Sequence, residues 1–395
     1  MLLPLSDAPN PGGRPYVTYT LIALNVLVYL FVSLPLGTER PDPASPAFQA
    51  YIDVVREQLP PNVPIRAVLN SLSAYDLFVF EHGYKPAAPQ ITDLLFSLFL
   101  HGGFLHLFGN MLFLWIYGDN VEYRLGRVAY LLWYLATGVA ATLFFALFAP
   151  SSSVPLVGAS GAISGVLGFY FLWFPRNTVR MFVFLFPFFM NVVAVRARIV
   201  LGIYLVLDNV LPFLLAGSSG GGVAHGAHIG GFVAGLAGAW MIDRRAVGSA
   251  RAGYSADAAL DDGPEPTAGT AVDGQEMARV ASAYFALPAD RARKALSPGD
   301  SLALGNWLAR NGHAEAALVV YRRHLRDYPT DPSAAEAHVA AGLVQFEHLG
   351  QVAPAYQHFL DALDLNPDAT TAARARAALA QIAALQKYNI GRGRA

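Results

Sequence analysis

The sequence predicts an all-α protein: a polytopic bundle of six transmembrane helices, followed by a soluble domain of helical repeats. Hydrophobic residues make up 54% of the 395 residues and charged residues only 14%, whereas about a quarter of a typical soluble domain is charged. The charge deficit is confined to residues 15–242, and ordinary charge density returns from Asp243 onward. An internal repeat in that second half is the third observation behind this fold class.

The apolar half contains six segments of the length that crosses a bilayer as a helix, about 20 residues. They are residues 16–36, 94–117, 128–149, 157–174, 198–216 and 224–242. Each is predicted to be helical because lipid offers no partner to backbone polar groups. A further apolar stretch, 179–195, is either another span or, as we favour, an interfacial connector into the fifth helix. The membrane domain then comprises residues 1–245.

The second half divides into a linker and a repeat domain. Residues 246–274 are rich in Gly, Ala, Asp and Pro, which is typical of a flexible linker. Within 275–395, an offset of 38 residues pairs Gly312 with Gly350, Ala317 with Ala355, Tyr321 with Phe359 and Pro329 with Pro367. This pattern resembles the tetratricopeptide helix–turn–helix repeat, whose period is about 34 residues. We expect the extra residues in the connection near 330–334; a generic helical domain is the alternative.

The distribution of arginine predicts the orientation in the membrane. Arginines follow the second, fourth and sixth segments, whereas the loops 150–155 and 217–223 contain no Lys or Arg. Positive charge favours the cytoplasmic side, so we expect both termini in the cytoplasm and these two loops outside. The N-terminus does not resemble a cleavable signal peptide. We expect a multi-pass protein of a bacterial inner membrane.

The composition also excludes several kinds of site. A formal net charge of −1 provides no basic field for nucleic acid. The chain has no cysteine, which excludes disulfides, thiolate metal ligands and a cysteine nucleophile. No metal and no cofactor are predicted.

Ser160 is the first candidate for chemistry within the membrane half. It lies in the motif Gly158-Ala-Ser-Gly161 at the outer end of the fourth segment. Polar groups in membrane helices are costly and often functional. Small residues also let helices approach closely, however, so the motif alone fits helix packing as well as a nucleophile.

His228 is the second candidate and lies near the outer end of the sixth segment. Gly231 and Gly235 are four residues apart on the same helix, as Gly161 and Gly165 are on the fourth. A glycine-lined face on each of the two helices predicts that they pack closely. A serine–histidine hydrogen bond of about 2.6–3.2 Å requires such close packing. Taken alone, this histidine could instead bind a metal, relay protons or bond a neighbouring helix.

His106 and Asn110 form the third cluster, in the second segment. Four residues apart, they project from one face of a helix. They could form a structural polar contact. At the depth of Ser160 they could instead donate hydrogen bonds to a developing oxyanion, each worth about 3 kcal/mol of barrier.

Together these stretches resemble the rhomboid family of intramembrane proteases over about residues 15–243. The residues that carry the resemblance are His101-Gly-Gly-Phe-Leu-His106-Leu-Phe-Gly-Asn110-Met, Gly118-Asp-Asn-Val-Glu122-Tyr-Arg124-Leu-Gly126, Gly158-Ala-Ser160-Gly161 and Ala227-His228-Ile-Gly-Gly231, continuing to Gly235. The resemblance implies a serine endopeptidase that cleaves the transmembrane segments of other membrane proteins with a Ser–His dyad and without a cofactor.

The resemblance also implies roles for single residues. Ser160 would be the nucleophile and His228 the general base. His106, Asn110 and the backbone N–H of Ser160 would form the oxyanion hole. The structural residues would be Glu122 and Arg124 at the cytoplasmic end of the second span, and the glycines 158, 161, 165, 231 and 235.

The chain departs from the family pattern in two places. Family members often have an aromatic residue four positions after the nucleophile, which stacks on the catalytic imidazole, and here Ser164 occupies that position. Another group would then have to orient His228. Some members carry a Trp-Arg pair in the first loop, where this chain has Thr92 and Asp93. His225, one turn before His228, is an alternative base.

Two other functions compete with proteolysis. A catalytically silent relative would act as a membrane chaperone or scaffold that binds transmembrane helices. A transporter would predict charged residues within spans or an internal duplication, and the sequence has neither. The repeats imply a protein or peptide partner in the cytoplasm.

Overall fold

The computed structural model describes residues 2–11, 13–58, 64–185, 189–215, 225–253, 271–287 and 291–392. The chain forms two compact units. The first comprises Met1–Asp7 and Gly13–Ala239, and the second comprises Ala8–Gly12 and Trp240–Ala395. The predicted outer loop 217–223 lies outside the described residues, as does most of the predicted linker 246–274.

The first unit is built mainly from helices. In chain order they are α1 (Tyr16–Val28), α2 (Leu34–Thr38), α3 (Pro46–Gln58), α4 (Ile65–Ser71), α5 (Ala74–His82), α6 (Asp93–Phe96), α7 (Phe104–Leu125), α8 (Arg127–Phe148), α9 (Ser160–Trp173), α10 (Ala197–Leu205), α11 (Leu211–Leu215) and α12 (His225–Gly253). A π-helical turn, Tyr29–Ser33, joins α1 to α2, and a second, Val206–Val210, joins α10 to α11.

Among the described residues, three helical segments have the length and hydropathy of a membrane span. They are Tyr16–Thr38, Arg127–Phe148 and Ala197–Leu215. The pair Asp93–Phe99 and Phe104–Leu125 meets the same criterion, but it is bent by 94° at the break. The predicted span 94–117 is therefore not one continuous helix. The apolar helices indicate a multi-pass membrane protein; the number of six spans stays a prediction.

The prediction of an all-α fold is wrong in one respect, because the first unit contains a three-stranded sheet. Its strands are β1 (Leu2–Ala8), β2 (Thr178–Leu185) and β3 (Phe189–Arg196), in the order β1-β2-β3. β2 and β3 pair antiparallel, with Thr178 opposite Arg196. Along β2, the buried Val179 and Met181 alternate with the exposed Arg180, which is the period of a strand. The stretch 179–195 thus connects α9 to α10 as a hairpin, not as a helical span.

Helix α9 lies in the core of the first unit, since all its residues from Gly161 to Tyr170 are buried. Glycines allow α12 to approach it closely. A Cβ atom built on Gly231 would lie 2.1 Å from the carbonyl oxygen of Gly161, and one on Gly235 would lie 2.0 Å from that of Gly165. Only glycine fits such contacts, so the two helices meet backbone to backbone along this face.

Glu122 and Arg124 attach the end of α7 to two neighbouring helices. The Glu122 carboxylate accepts hydrogen bonds from the backbone N–H groups of Val17 and Thr18, at 2.9 and 2.7 Å. It also accepts one from the Thr18 hydroxyl at 2.8 Å. This satisfies N–H groups that the first turn of α1 leaves without partners. The Arg124 guanidinium lies 4.2 Å from the ring centroid of Trp173 in α9.

The second unit contains helices that follow one another as hairpins. After α12 they are α13 (Ala271–Ala286), α14 (Pro298–Arg310), α15 (Ala314–Asp327), α16 (Ala334–Leu343), α17 (Val352–Asp364) and α18 (Ala369–Arg392). A π-helical turn, Val344–His348, follows α16. At the two ends of the predicted linker the structure describes helix, since α12 continues to Gly253 and α13 begins at Ala271. The linker itself stays a prediction.

The positions paired by the 38-residue offset have similar surroundings in the hairpins α14–α15 and α16–α17. Gly312 and Gly350 both have positive φ angles, of 82° and 63°. Tyr321 and Phe359 are both buried, and each ring packs where a Cβ atom on a glycine would clash: Gly305 for Tyr321, Gly342 for Phe359. Gly305 and Gly342 are 37 residues apart (342 − 305 = 37), one fewer than the offset between Tyr321 and Phe359. The π-helical turn lies between Gly342 and Phe359 and accommodates the extra residue. The tetratricopeptide assignment itself stays a prediction.

Candidate active site

Ser160 is the first residue of α9, and the loop that precedes it is held by backbone hydrogen bonds. Gly158 N–H donates to the carbonyl of Ser97 at 2.8 Å. Gly158 has a φ of +121°, and a Cβ atom there would lie 2.8 Å from the His106 ring. Both features require glycine at this position. The loop therefore holds Ser160 at the N-terminal end of the buried helix.

His228 lies in the first turn of α12 and reaches Ser160. Its Nε2 atom is 2.8 Å from the Ser160 Oγ atom. The hydrogen bond forms because α9 and α12 approach each other one turn further on, where Gly231 packs on Gly161. Nucleophile and base need this distance, so the pair has the geometry for proton transfer from the hydroxyl to the imidazole.

Asn209, in the π-helical turn between α10 and α11, contacts the other side of the His228 ring. Its Oδ1 atom is 2.7 Å from His228 Nδ1. Its amide group also donates a hydrogen bond to the carbonyl of Tyr204 at 2.9 Å. Because a carbonyl only accepts, this second bond directs the amide oxygen toward the histidine. His228 must then carry its proton on Nδ1, which leaves Nε2 as the acceptor for the Ser160 hydroxyl.

Tyr204 supplies an aromatic ring near His228, although position 164 does not. The Tyr204 and His228 ring centroids are 6.5 Å apart with the planes 32° from parallel. The hydroxyls of Tyr204 and Ser164 are hydrogen-bonded at 3.0 Å. Ser164, itself fully buried, is thus the small residue that accommodates a tyrosine from the fifth segment.

His106 and Asn110 lie on α7 in the same cavity as Ser160. The Gly102 N–H donates to His106 Nδ1 at 3.4 Å, which favours a proton on Nε2, the atom that faces Gly158. The Asn110 side chain is buried, and its Nδ2 atom has no hydrogen-bond partner within the described part of the chain. Buried donors are usually satisfied, so an unsatisfied one beside a nucleophile can bind an acceptor on a substrate.

A cavity of about 530 Å³ connects these groups. Its polar lining residues are His106, Asn110, Ser160, Tyr204 and His228, and its apolar ones include Leu105, Phe113, Val157 and Ile163. A volume of this size accepts several residues of an extended peptide or a drug-sized ligand. The candidate nucleophile, the candidate base and the candidate oxyanion donors thus surround one space.

Other residues singled out in the sequence lie outside this cluster. Glu122 and Arg124 are at the far end of α7, where they hold helices together. His225 is half-buried, and its Nδ1 atom has no hydrogen-bond partner among the described residues. The histidine that contacts Ser160 is His228. His101 is buried behind His106, with their rings 5.2 Å apart.

Asn209 and Tyr204 are the two site residues that sequence reasoning missed. A polar asparagine in the apolar segment 198–216 was a usable signal, because such residues are costly in a membrane helix. The face of the helix on which Asn209 lies was not predictable. In a regular helix, Ala197 and Leu201 would share their buried face with position 208, but Asp208 is exposed and Asn209 is buried. The π-helical turn shifts the register by one residue.

Comparison with known proteins shows which proteins the membrane region of this chain is similar to. Residues 88–245 match the model of the Rhomboid domain. The chain is 28% identical to the mitochondrial rhomboid protein 1 of Saccharomyces cerevisiae over 184 residues, which are 45% of this chain and 52% of that protein. It is 31% identical to the rhomboid protease GluP of Bacillus subtilis over 157 residues, 40% of this chain and 24% of that one. It is 28% identical to the rhomboid-type serine protease 2 of Emericella nidulans over 158 residues, which are 39% of this chain and 27% of that protein.

The matched region spans about half of the yeast relative and about a quarter of the two named proteases. It coincides with the part of the chain that contains α7, α9 and α12, the three helices that carry Ser160, His228, His106 and Asn110. The domain match and the homologues together support placing this membrane region in the rhomboid family.

Proposed function

We propose that this protein is an intramembrane serine endopeptidase that cleaves transmembrane segments of other membrane proteins. The observation that carries the proposal is the 2.8 Å hydrogen bond between Ser160 Oγ and His228 Nε2. A serine alone is a weak nucleophile, and an adjacent base activates it. The rhomboid domain match and the homologues named as a rhomboid protease and as a rhomboid-type serine protease support the same reaction class.

The reaction begins when Ser160 Oγ attacks the scissile carbonyl carbon and His228 Nε2 takes the hydroxyl proton. The imidazolium then has a proton on each nitrogen, and Asn209 Oδ1 accepts the one on Nδ1. The amine leaves with the proton that His228 returns, and the peptide's acyl group stays on Ser160. Water then attacks the acyl-enzyme with His228 again as base, which follows triad logic with an amide in place of the acid.

The oxyanion of each tetrahedral intermediate is stabilised at the N-terminal end of α9. The first backbone N–H groups of a helix have no intrahelical acceptor, and the N–H of Ser160 is among them. His106 Nε2–H and the unsatisfied Asn110 amide add side-chain donors from α7. Donors fixed in this way are worth far more in a low-dielectric site than in water.

The length of α9 supports a reaction below the membrane surface. Its 14 residues span about 21 Å at about 1.5 Å per residue, whereas the hydrocarbon core is about 30 Å thick. If the other end of α9 reaches one interface, Ser160 lies several ångströms inside the opposite one. The site is then at the depth of a substrate's transmembrane segment.

The test is cleavage of a single-span reporter by the purified protein in detergent and in liposomes. The wild type is expected to cut. Ser160→Ala and His228→Ala are each expected to lose at least about a thousandfold in kcat. His225→Ala is the matched control, because this neighbouring histidine is not hydrogen-bonded to Ser160, and it should retain activity.

Three outcomes decide between the alternatives. Cleavage by Ser160→Ala excludes the proposed nucleophile. Loss in His225→Ala with activity in His228→Ala reverses the assignment of the base. If the wild type cuts no reporter that a known rhomboid protease cuts in parallel, and a fluorophosphonate probe does not label Ser160, the silent-scaffold function replaces the protease.

A further inference from the structure

The second unit contains a cluster of three metal-ligating side chains that the proteolytic site does not use. His338 lies on α16, and His358 and Asp361 lie on α17, the other helix of the same hairpin. One donor atom from each of the three residues falls within 4.8 Å of the other two. His338 Nδ1 is 2.9 Å from His358 Nδ1 and 3.9 Å from Asp361 Oδ2.

The cluster is half-buried at the edge of a packed core, which holds the backbone that carries it. The His338 side chain is 17% exposed and the Asp361 side chain 34%. The residues that follow the two histidines, Val339 and Phe359, are buried in one hydrophobic cluster. His358 and Asp361 are three positions apart on α17 and therefore share a face of that helix. The ligand set is thus preformed by helix packing and not by a loop.

The geometry favours a metal ion over a purely structural hydrogen bond. Two neutral imidazoles can share only one proton between their Nδ1 atoms, and this contact alone would not require a carboxylate on the same side. Tetrahedral zinc holds its nitrogen and oxygen ligands at about 2.0–2.2 Å, which places the ligand atoms about 3.3 Å from one another. The observed distances of 2.9 and 3.9 Å lie on either side of this value.

We propose that His338, His358 and Asp361 bind a divalent transition-metal ion of the zinc class, with water at the remaining position. The donor set of two imidazoles and one carboxylate suits zinc, cobalt, nickel or copper. It is too small and too rich in nitrogen for calcium or magnesium, which take six or more oxygen ligands. The ion would cross-link α16 to α17. This inference does not depend on the proposed protease activity.

The test is zinc binding by the full-length protein, purified through a histidine-free tag and stripped with a chelator. No cysteine competes for the ion in this chain. Calorimetry is expected to show a single zinc ion bound per chain, and cobalt is expected to give the visible absorption of a four-coordinate site. Each of His338→Gln, His358→Gln and Asp361→Asn should weaken zinc binding by more than about tenfold. Magnesium should not bind.

His348→Gln is the matched control, because this exposed histidine lies in the same unit at the end of the π-helical turn. It should bind zinc like the wild type. Equal binding by the wild type and all three ligand variants, or equal loss in the control, would show adventitious binding only and overturn the proposal. Helix content by circular dichroism without metal identifies a variant that fails to fold. In that case Asp361→Asn, which keeps the side-chain shape, decides the question.

Discussion

The amide of Asn209 lies between the carbonyl of Tyr204 and the Nδ1 atom of His228, and its two ends differ chemically. The NH₂ end can bond the carbonyl and the oxygen end cannot, so the amide has one useful orientation. In that orientation only the Nδ1–H tautomer of His228 is accommodated. In the proposed mechanism, this neutral side chain would orient the histidine as a buried acid does in a catalytic triad, without placing a charge in the membrane.

Replacing Asn209 by leucine tests this role at the residue scale. The variant keeps the number and branching of the side-chain heavy atoms but removes the acceptor for His228 Nδ1–H, which is worth about 1.5–3 kcal/mol when the donor is charged in the transition state. We expect kcat to fall about ten- to a hundredfold, with KM little changed, since Asn209 does not line the cavity. Cleavage kinetics of the reporter measure both constants.

Asn209→Asp separates orientation from packing, because a carboxylate still accepts from Nδ1–H. Its activity should lie above that of the leucine variant. ¹⁵N NMR of histidine-labelled protein gives a second readout, in which the wild-type His228 signal is the Nδ1–H tautomer and Asn209→Leu shows a mixture. Equal loss in both variants with an unchanged tautomer would assign Asn209 a structural role only.

A second residue-scale prediction concerns the buried donor of Asn110. Asn110→Asp keeps the shape of the side chain and replaces the unsatisfied NH₂ group by an acceptor, which repels an oxyanion. We expect kcat to fall about a hundredfold or more in this variant and in Asn110→Ala. The measurement is kcat in detergent beside the unfolding temperature. Wild-type activity in Asn110→Asp would remove Asn110 from the oxyanion hole.

At the scale of elements, the contact between α9 and α12 determines whether the dyad forms. A Cβ atom on residue 231 would lie 2.1 Å from the Gly161 carbonyl oxygen, so Gly231→Ala must push the two helices apart. A displacement of about 1 Å costs about a hundredfold in rate, and overpacking costs about 1–3 kcal/mol of stability. Reporter cleavage and thermal unfolding in detergent measure the two effects.

Gly202→Ala is the control for this substitution. Gly202 lies in α10, and a Cβ atom there meets nothing within 4 Å. Alanine is the better helix former, so this variant should be as stable as the wild type or slightly more stable. If Gly231→Ala behaved in the same way, the close contact of α9 with α12 would not be needed for function.

Sequence patterns predicted this contact better than they predicted the elements around it. The four-residue spacing of Gly231 and Gly235 requires only a regular helix, and α12 is regular there. The hairpin β2–β3 was not predicted, because hydropathy over 179–195 obscures the period of two along β2. The register of Asn209 was not predicted either, since nothing in the local composition marks the π-helical turn Val206–Val210.

At the scale of the whole molecule, the direction of α9 in the membrane would decide where the proposed cleavage occurs. Ser160 follows the loop 150–155, which has no positive charge, and arginines at 176 and 180 follow the other end of α9. The positive-inside bias therefore predicts that Ser160 lies near the outer surface. Substrates would then be cut near the outer end of their membrane segment.

The absence of cysteine allows this orientation to be measured without background. Ser151→Cys introduces a thiol at an exposed position of the loop before Ser160, and Glu315→Cys introduces one at an exposed position of α15. In right-side-out vesicles, a membrane-impermeant maleimide should label Ser151→Cys and leave Glu315→Cys unmodified until detergent is added. Inside-out vesicles should give the reverse pattern, and the cysteine-free wild type should remain unlabelled in both.

Labelling of both variants from the same side would contradict the predicted topology. Protection of Ser151→Cys from outside would place Ser160 at the cytoplasmic surface, and cleavage would then occur at the inner end of a substrate helix.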